Sequence, residues 1–328
     1  MRRTVGLVVA VLGLQLGFVL SYVGAFHDPR PDAIPVEVVA QAPVVEQLAA
    51  GLDGTLEITG ADEATARADL LADRTSGVLI VGEHEDVLLV ASAEGTSVSG
   101  AVETVLTRAD AAQGRTLRVE DVVAPQAGDA RGLSGFYLVT GWIVGGYLLA
   151  ALLGLTGEKR PDLPTTARRL GLALGFAVLG GLGGALIAGP VLGALTGHVL
   201  ALWGLGTLLT FAAAAVTVAL SALLGVVGIG VTILLFVILG NPSAGGAYQD
   251  GVLPAFWATI GGWLPNGAGV DALRRIVYFD GVGSTAPLLV AGAWAVGGIL
   301  VALLTARFRN APHGRHEAGH VLREPAAV

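Results

Sequence analysis

The sequence predicts an α-helical integral membrane protein with six transmembrane helices and a small extracytoplasmic α/β domain inserted between helices 1 and 2. Three observations carry that reading. Hydrophobic residues make up 53 % of the 328, and only 14 % are charged, against roughly 25 % in soluble domains. The charges are absent from four stretches, residues 4–26, 132–157, 170–249 and 281–306. A bilayer core needs about 20 apolar residues per helix, so three of these supply one span each and 170–249 supplies three. The charges that remain are unevenly placed: residues 27–131 hold 19 acidic and 7 basic side chains, so the overall −7 divides into −12 there and +5 elsewhere.

Residues 1–26 form the first span. Arg2 and Arg3 precede an apolar run that is long for a secretory leader, and no A-x-A site follows it, so an uncleaved anchor is expected. Residues 27–131 show the alternation of a small domain: a β-rich run at 34–39, a helix at 44–52 ended by Gly54, a short strand at 56–58 and an acid-capped helix at 62–73. Strands at 78–81 and 87–90 follow, joined by Gly82-Glu83-His84-Glu85, a hairpin signal. A helix at 98–112 and a strand at 117–123 complete the order β-α-β-α-β-β-α-β. Residues 132–306 then carry five spans, at about 134–156, 169–189, 199–223, 225–240 and 285–305. Gly189-Pro190, Thr196-Gly197-His198, Gly225 and Asn241-Pro242 punctuate them. Residues 307–328 are a tail.

Positive residues stay in the cytoplasm. Arg2 and Arg3, the 158–169 loop with Lys159, Arg160, Arg168 and Arg169, and the Arg-containing tail all fall on one side only if the spans number six. Both termini are then cytoplasmic and residues 27–131 outside. The spans carry small-xxx-small spacings at Gly13/Gly17, Gly141/Gly145, Gly171/Gly175 and Gly180/Gly184, which let helix backbones approach. With no charged residue inside a span, proton- or sodium-coupled transport is disfavoured.

No catalytic set and no cofactor signature is visible. The chain has no cysteine, which removes thiol catalysis, disulfides and Cys-rich metal sites. There is no Walker A sequence, and Lys159 is the single lysine. Glu83, Glu85 and Asp86 beside the hairpin are a possible divalent-cation site, with a solvated acidic surface as the simpler reading. His316-Glu317-Ala318-Gly319-His320 matches H-E-x-x-H, but Gly319 weakens the helix that zinc ligation at that spacing requires. The acidic balance disfavours nucleic acid as a partner.

The segment 241–283 is the most informative. Prolines and glycines break its charge-free middle, so it cannot be a regular span, and its aromatic residues suit a membrane interface. It reads as a re-entrant-like outer loop of two short helices, with Pro254 near the start of one and Pro265-Asn266-Gly267 as the turn. Asp271 with Arg274 or Arg275 sits at i, i+3 or i, i+4, spacing for a weak local ion pair. The loop's motif residues are Asn241, Pro242, Pro254, Trp257, Pro265, Gly267, Asp271, Arg274 and Arg275.

At these residues the chain resembles the ABC-2-type transporter permeases, and within them the phage-infection-protein (YhgE/Pip)-like membrane proteins. The resemblance rests on one span, a large outside domain and five further spans. It rests also on Asp28-Pro29-Arg30-Pro31 running into Ile34-Pro35-Val36-Glu37-Val38-Val39, and on N-P-x-x-G…L-P-x-F-W…L-P-x-G…A-L-R-R…Y-F from Asn241 to Phe279. The resemblance implies a permease subunit in the bacterial plasma membrane that pairs as a homodimer or heterodimer. It implies a separate ABC ATPase docking at Glu158, Lys159, Arg160, Arg168 and Arg169, and export of a hydrophobic or amphipathic compound. The alternative is a non-transporting scaffold or receptor whose outside domain binds an envelope or phage component.

Overall fold

The computed structural model describes residues 2–156 and 161–309. Glu158, Lys159, Arg160 and the H-E-x-x-H match at His316 to His320 lie outside those residues. Five helices are long and apolar enough to cross a membrane: α1 (Arg2–Phe26), α5 (Ser134–Thr156), α6 (Leu163–Leu186, continued by a π-helical turn to Val191), α7 (Val199–Leu224) and α11 (Thr285–Arg309). A shorter apolar segment, Val226–Leu239, is a helix (α8, Val226–Ile233) that widens into a π-helical turn.

Between α1 and α5 the chain forms β1 (Ile34–Val39), α2 (Ala42–Leu52), β2 (Leu56–Gly60), α3 (Glu63–Leu71), β3 (Val78–Ile80), β4 (Glu85–Val90), α4 (Thr96–Ala112) and β5 (Thr116–Asp121). The sheet order is β2-β1-β3-β4-β5. All neighbours run parallel except the β3–β4 pair, which is antiparallel in the register Leu79 opposite Leu88. Helices α2 and α4 cover one face through Leu48, Val98, Val102 and Leu106, against Ile34, Val36 and Val38. Helix α3 covers the other with Ala66 and Leu70. Its start is set by Asp62, whose carboxylate accepts from the Thr65 backbone N–H at 3.0 Å, as N-cap chemistry requires.

The helical part is built around α7, which packs against α5, α6 and α11. The close approaches are made at glycines. A Cβ on Gly146 would lie 2.1 Å from the Thr210 carbonyl oxygen, one on Gly181 2.6 Å from Thr207 N, and one on Gly298 2.7 Å from Val216 N. The Trp142 indole fills the space left by Gly184 and Gly206, where a Cβ would come within 2.3 and 2.4 Å of the ring. Of the small-xxx-small pairs, only Gly184 makes such an approach. Gly13, Gly141, Gly171 and Gly175 face open space, because a four-residue spacing marks a helix stripe without saying which stripe meets a neighbour.

The start of α6 corrects the sequence reading. The helix begins at Leu163, six residues before the expected boundary at 169. Asp162 caps it by accepting from Thr165 N at 2.9 Å. Pro164 sits in the first turn, where its missing N–H costs no hydrogen bond. Arg168 and Arg169 therefore belong to a helix and not to a loop, and Arg169 is buried.

Candidate functional site at the junction of sheet and helices

Residues 240–283 join the two parts. After the π-helical turn the chain does not emerge into solvent: residues 242–246, beginning with Pro242, are all buried. A π-helical turn leaves carbonyls without regular partners. Here the Phe236 carbonyl accepts from Asn266 Nδ2 at 3.0 Å, and the Ile238 carbonyl accepts from the Ser21 hydroxyl of α1. Asn266 Nδ2 also reaches Asn241 Oδ1 at 2.8 Å, so Asn241 is tied to the start of the last element of the segment.

Two short helices follow: α9 (Ala255–Gly261), entered at Pro254, and α10 (Pro265–Tyr278). The pair matches the expected helical hairpin, but its turn is not Pro265-Asn266-Gly267. Those three residues are the buried first turn of α10, and the reversal is made at residues 262–264. Proline at the first helical position is preorganised for a helix start. Gly267 has a packing reason to be glycine: its Cβ would stand 2.3 Å from the Gly261 carbonyl oxygen, and a Cβ on Gly261 would meet the Ser243 carbonyl oxygen at 2.2 Å. Trp257 is buried with Ala25 at the end of α1 and with Leu253.

The same segment completes both faces of the sheet. Val252 enters the core formed with α2 and α4, and Phe279 enters the core formed with α3. Gln249 adds a polar joint. Helix α4 is preceded by Gly95 at its N-cap, which has no side chain to cap it. Gln249 Oε1 takes that role from 152 residues away, accepting from Ser97 N at 3.2 Å and from the Ser97 hydroxyl. Gln249 Nε2 donates to the Gly245 and Gly246 carbonyls at 3.3 and 3.0 Å.

Between these joints lies a cavity of about 330 Å³. Its helical wall is one face of α10: Gly267, Asp271, Arg274 and Arg275, at i, i+4, i+7 and i+8. Asp73 and Glu94 from the sheet part and Asp250 from the connecting loop face them. Arg275 makes two ion pairs: its Nη2 is 2.5 Å from Asp73 Oδ2 and its Nε 2.7 Å from Asp271 Oδ1. The expected local pair of Asp271 and Arg275 is thus present, joined by a long-range partner. Asp73 reaches the pair from a left-handed backbone position, φ 57°, just past α3. Arg274 takes a different route and donates from Nη2 to the Gly245 carbonyl at 2.6 Å.

Crowding of acids perturbs this site. Burial, then the charge of Asp73, raises the Glu94 carboxyl to about 8. Ser76 Oγ is 3.4 Å from it. Burial raises Asp73 too, opposed by Arg275. Asp250 stands at the mouth, open to solvent on one side, and partial burial with the charge of Asp271 raises it to about 6. Burial lowers Arg274 from the ordinary arginine range while the surrounding acids oppose that shift.

Asp271, Arg274, Arg275 and Gly267 are thus brought together from the expected loop motif, whereas Asn241, Pro242, Pro254, Trp257 and Pro265 shape the backbone behind them. Asp73, Glu94, Gln249 and Asp250 were not legible as site residues, since each is a polar residue with no local motif. At the hairpin, Asp86 is turned inward. It accepts from Gly82 N at 2.9 Å and from Arg115 Nε at 2.7 Å, and Glu85 pairs with Arg118. Among the described residues, no group of three or more histidines and carboxylates is placed to hold a metal ion. No protein family, curated protein or solved structure matches this chain.

Proposed function

We propose that the chain is the membrane permease subunit of an ABC-2-like exporter, moving a hydrophobic or amphipathic compound out of a bacterial cell with energy from a separate ATPase. In this reading residues 225–240 are the fifth of six spans in chain order, and the sheet of residues 34–121 lies outside the plasma membrane. Both termini are cytoplasmic, and two copies, or a copy and a relative, form the path. The observation that carries the reading is the broken course of residues 226–278. A short apolar helix stops inside the protein, residues 242–246 after it are buried, and α10 starts from a buried first turn with a charged face on a cavity. Irregular backbone at membrane depth is tolerated where it is buried in protein or lines a cavity, and discontinuous helices of this kind mark binding sites in transporters.

The chain has no cysteine, so single cysteines report topology without background. One at Glu83 should react with an impermeant maleimide on intact cells, and one at Thr165 only after lysis. Affinity purification from membranes should recover a P-loop ATPase. Absence of any ATPase, with unchanged cargo accumulation in a deletion strain, would remove the permease reading. The scaffold or receptor alternative is favoured by one feature, the clamping of the sheet by Val252, Phe279 and Gln249, which holds the outer part rigidly on the helices. It predicts that removing the cytoplasmic loop charges has no phenotype.

A further inference from the structure

We infer that the junction cavity binds a small zwitterion, an ammonium group carried a few bonds from a carboxylate or phosphate. This deepens the proposed function by naming the ligand class of its cavity, and it is tested by binding rather than by transport.

The argument starts from two unmatched charges. A guanidinium offers five N–H donors. Arg274, partly buried, uses one hydrogen bond, to Gly245 O, and no carboxylate oxygen of the described residues lies within 4.0 Å of its nitrogens. Of the acids around it, Asp73 and Asp271 are engaged by Arg275, and Glu94 is held by Asp73 and Ser76. Across the cavity the solvent-facing Asp250 carboxyl has no hydrogen bond and no ion pair among the described residues. It feels Arg274 and Asp271 only at a distance. A guanidinium without a carboxylate partner and a carboxylate without an ion pair therefore line one cavity, with no contact between them within 4.0 Å.

The placement of the charges decides the ligand class. Four carboxyl groups and two guanidinium groups line the cavity. A simple anion drawn to Arg274 would be repelled by Asp250 and Asp271. A simple cation drawn to Asp250 would leave Arg274 unmatched. A ligand with its anionic group on Arg274 and its ammonium on Asp250 satisfies both, and charge-assisted hydrogen bonds of this kind are the strong ones. The Glu94 carboxyl, held by Asp73 and Ser76, lines the same space. The cavity volume of about 330 Å³ lies at the small end of ligand sites. That suits a free amino-acid-like solute or the headgroup of an ethanolamine lipid, which share this chemistry.

The test is calorimetry on the full chain in detergent with O-phosphoethanolamine and glycine as zwitterions, and ethylamine and inorganic phosphate as single-charge probes. At least one zwitterion should bind saturably while neither single-charge probe does. Asp250→Asn, at the exposed mouth where folding is not at stake, should weaken binding about tenfold or more, the loss expected for one charge-assisted hydrogen bond. Arg274→Gln should do the same. In nanodiscs, displacement of the soluble probe by phosphatidylethanolamine identifies the headgroup as the ligand, and insensitivity to lipid composition identifies a free solute. No saturable binding, equal binding of phosphate or ethylamine, or an unchanged affinity in Asp250→Asn overturns the inference. Binding without export keeps it and removes the permease reading, and export without binding does the reverse.

Discussion

Gln249→Ala should open the first turn of α4 and loosen the sheet from the helices. The Ser97 N–H is one of the groups at a helix start that has no intrahelical carbonyl to bond, and Gln249 Oε1 is its acceptor at 3.2 Å. Loss of an N-cap acceptor costs about 1 kcal/mol. The amide of Gln249 also serves two buried carbonyls. That of Gly245 keeps Arg274 as a donor, but that of Gly246 is left with none, for about 1 kcal/mol more. The local sum of about 2 kcal/mol corresponds to a roughly 30-fold rise in opening. Hydrogen exchange by mass spectrometry on a peptide covering Gly95 to Ser99, in detergent, reads it directly. Gly95→Ala should give the same result, because its Cβ would stand 2.2 Å from Gln249 Cδ. The double variant should be no worse than either single one. Unchanged protection at Ser97 in a folded Gln249→Ala protein would refute the capping argument, and so would equal loss of protection across the whole sheet.

Three further outcomes are expected. Arg275→Gln should destabilise the junction by about 3 kcal/mol, since it strands the mostly buried Asp73. Asp73→Asn should restore most of that loss by removing the charge while tolerating the left-handed backbone, as seen in the thermal midpoints of the three proteins. Glu94, raised to about 8, holds a proton in the folded protein that the unfolded chain releases near its ordinary value. Folding is therefore most favoured below about pH 4.5 as far as this group is concerned, weakens as pH rises towards 8 and is flat above. Glu94→Gln should remove that slope from a pH series of thermal midpoints. Gly146→Ala should lower the midpoint by overpacking the α5–α7 contact, costing about 1–3 kcal/mol, whereas Gly171→Ala and Gly175→Ala should leave it unchanged or slightly raised. Equal behaviour of the three glycine variants would contradict the assignment of the close approach to Gly146.

Much of the fold was legible because its determinants are local. The strand at Ile34 to Val39, the cap at Asp62, the hairpin around Gly82 and the bounds of α5 follow from period, capping chemistry and turn residues within a few positions. The start of α6 at Leu163, ahead of the expected 169, has a local cause too: Pro164 behind the Asp162 cap suits the first turn of a helix. The loop motif of residues 241–279 was visible as composition. Its geometry was not, because Pro265-Asn266-Gly267 serves equally well as a turn or as a helix start.

The sequence by itself determined where the chain is apolar, where it is acidic, and therefore the placing of five membrane-length helices and of the sheet, whereas residues 225–240, expected as a further span, hold only a shorter apolar helix. Hydrophobicity and charge are properties of each residue, and their spacing along the chain is all that such patterns need. Only the tertiary structure decided which glycines touch, that Gln249 caps a helix whose N-cap, Gly95, lies 154 residues earlier, and that Asp73, Glu94 and Asp250 meet Arg274 and Arg275 around one cavity. Those partners are set by how α10 and the sheet stack on the bundle, and a packing arrangement of that kind leaves no periodic signal in the chain.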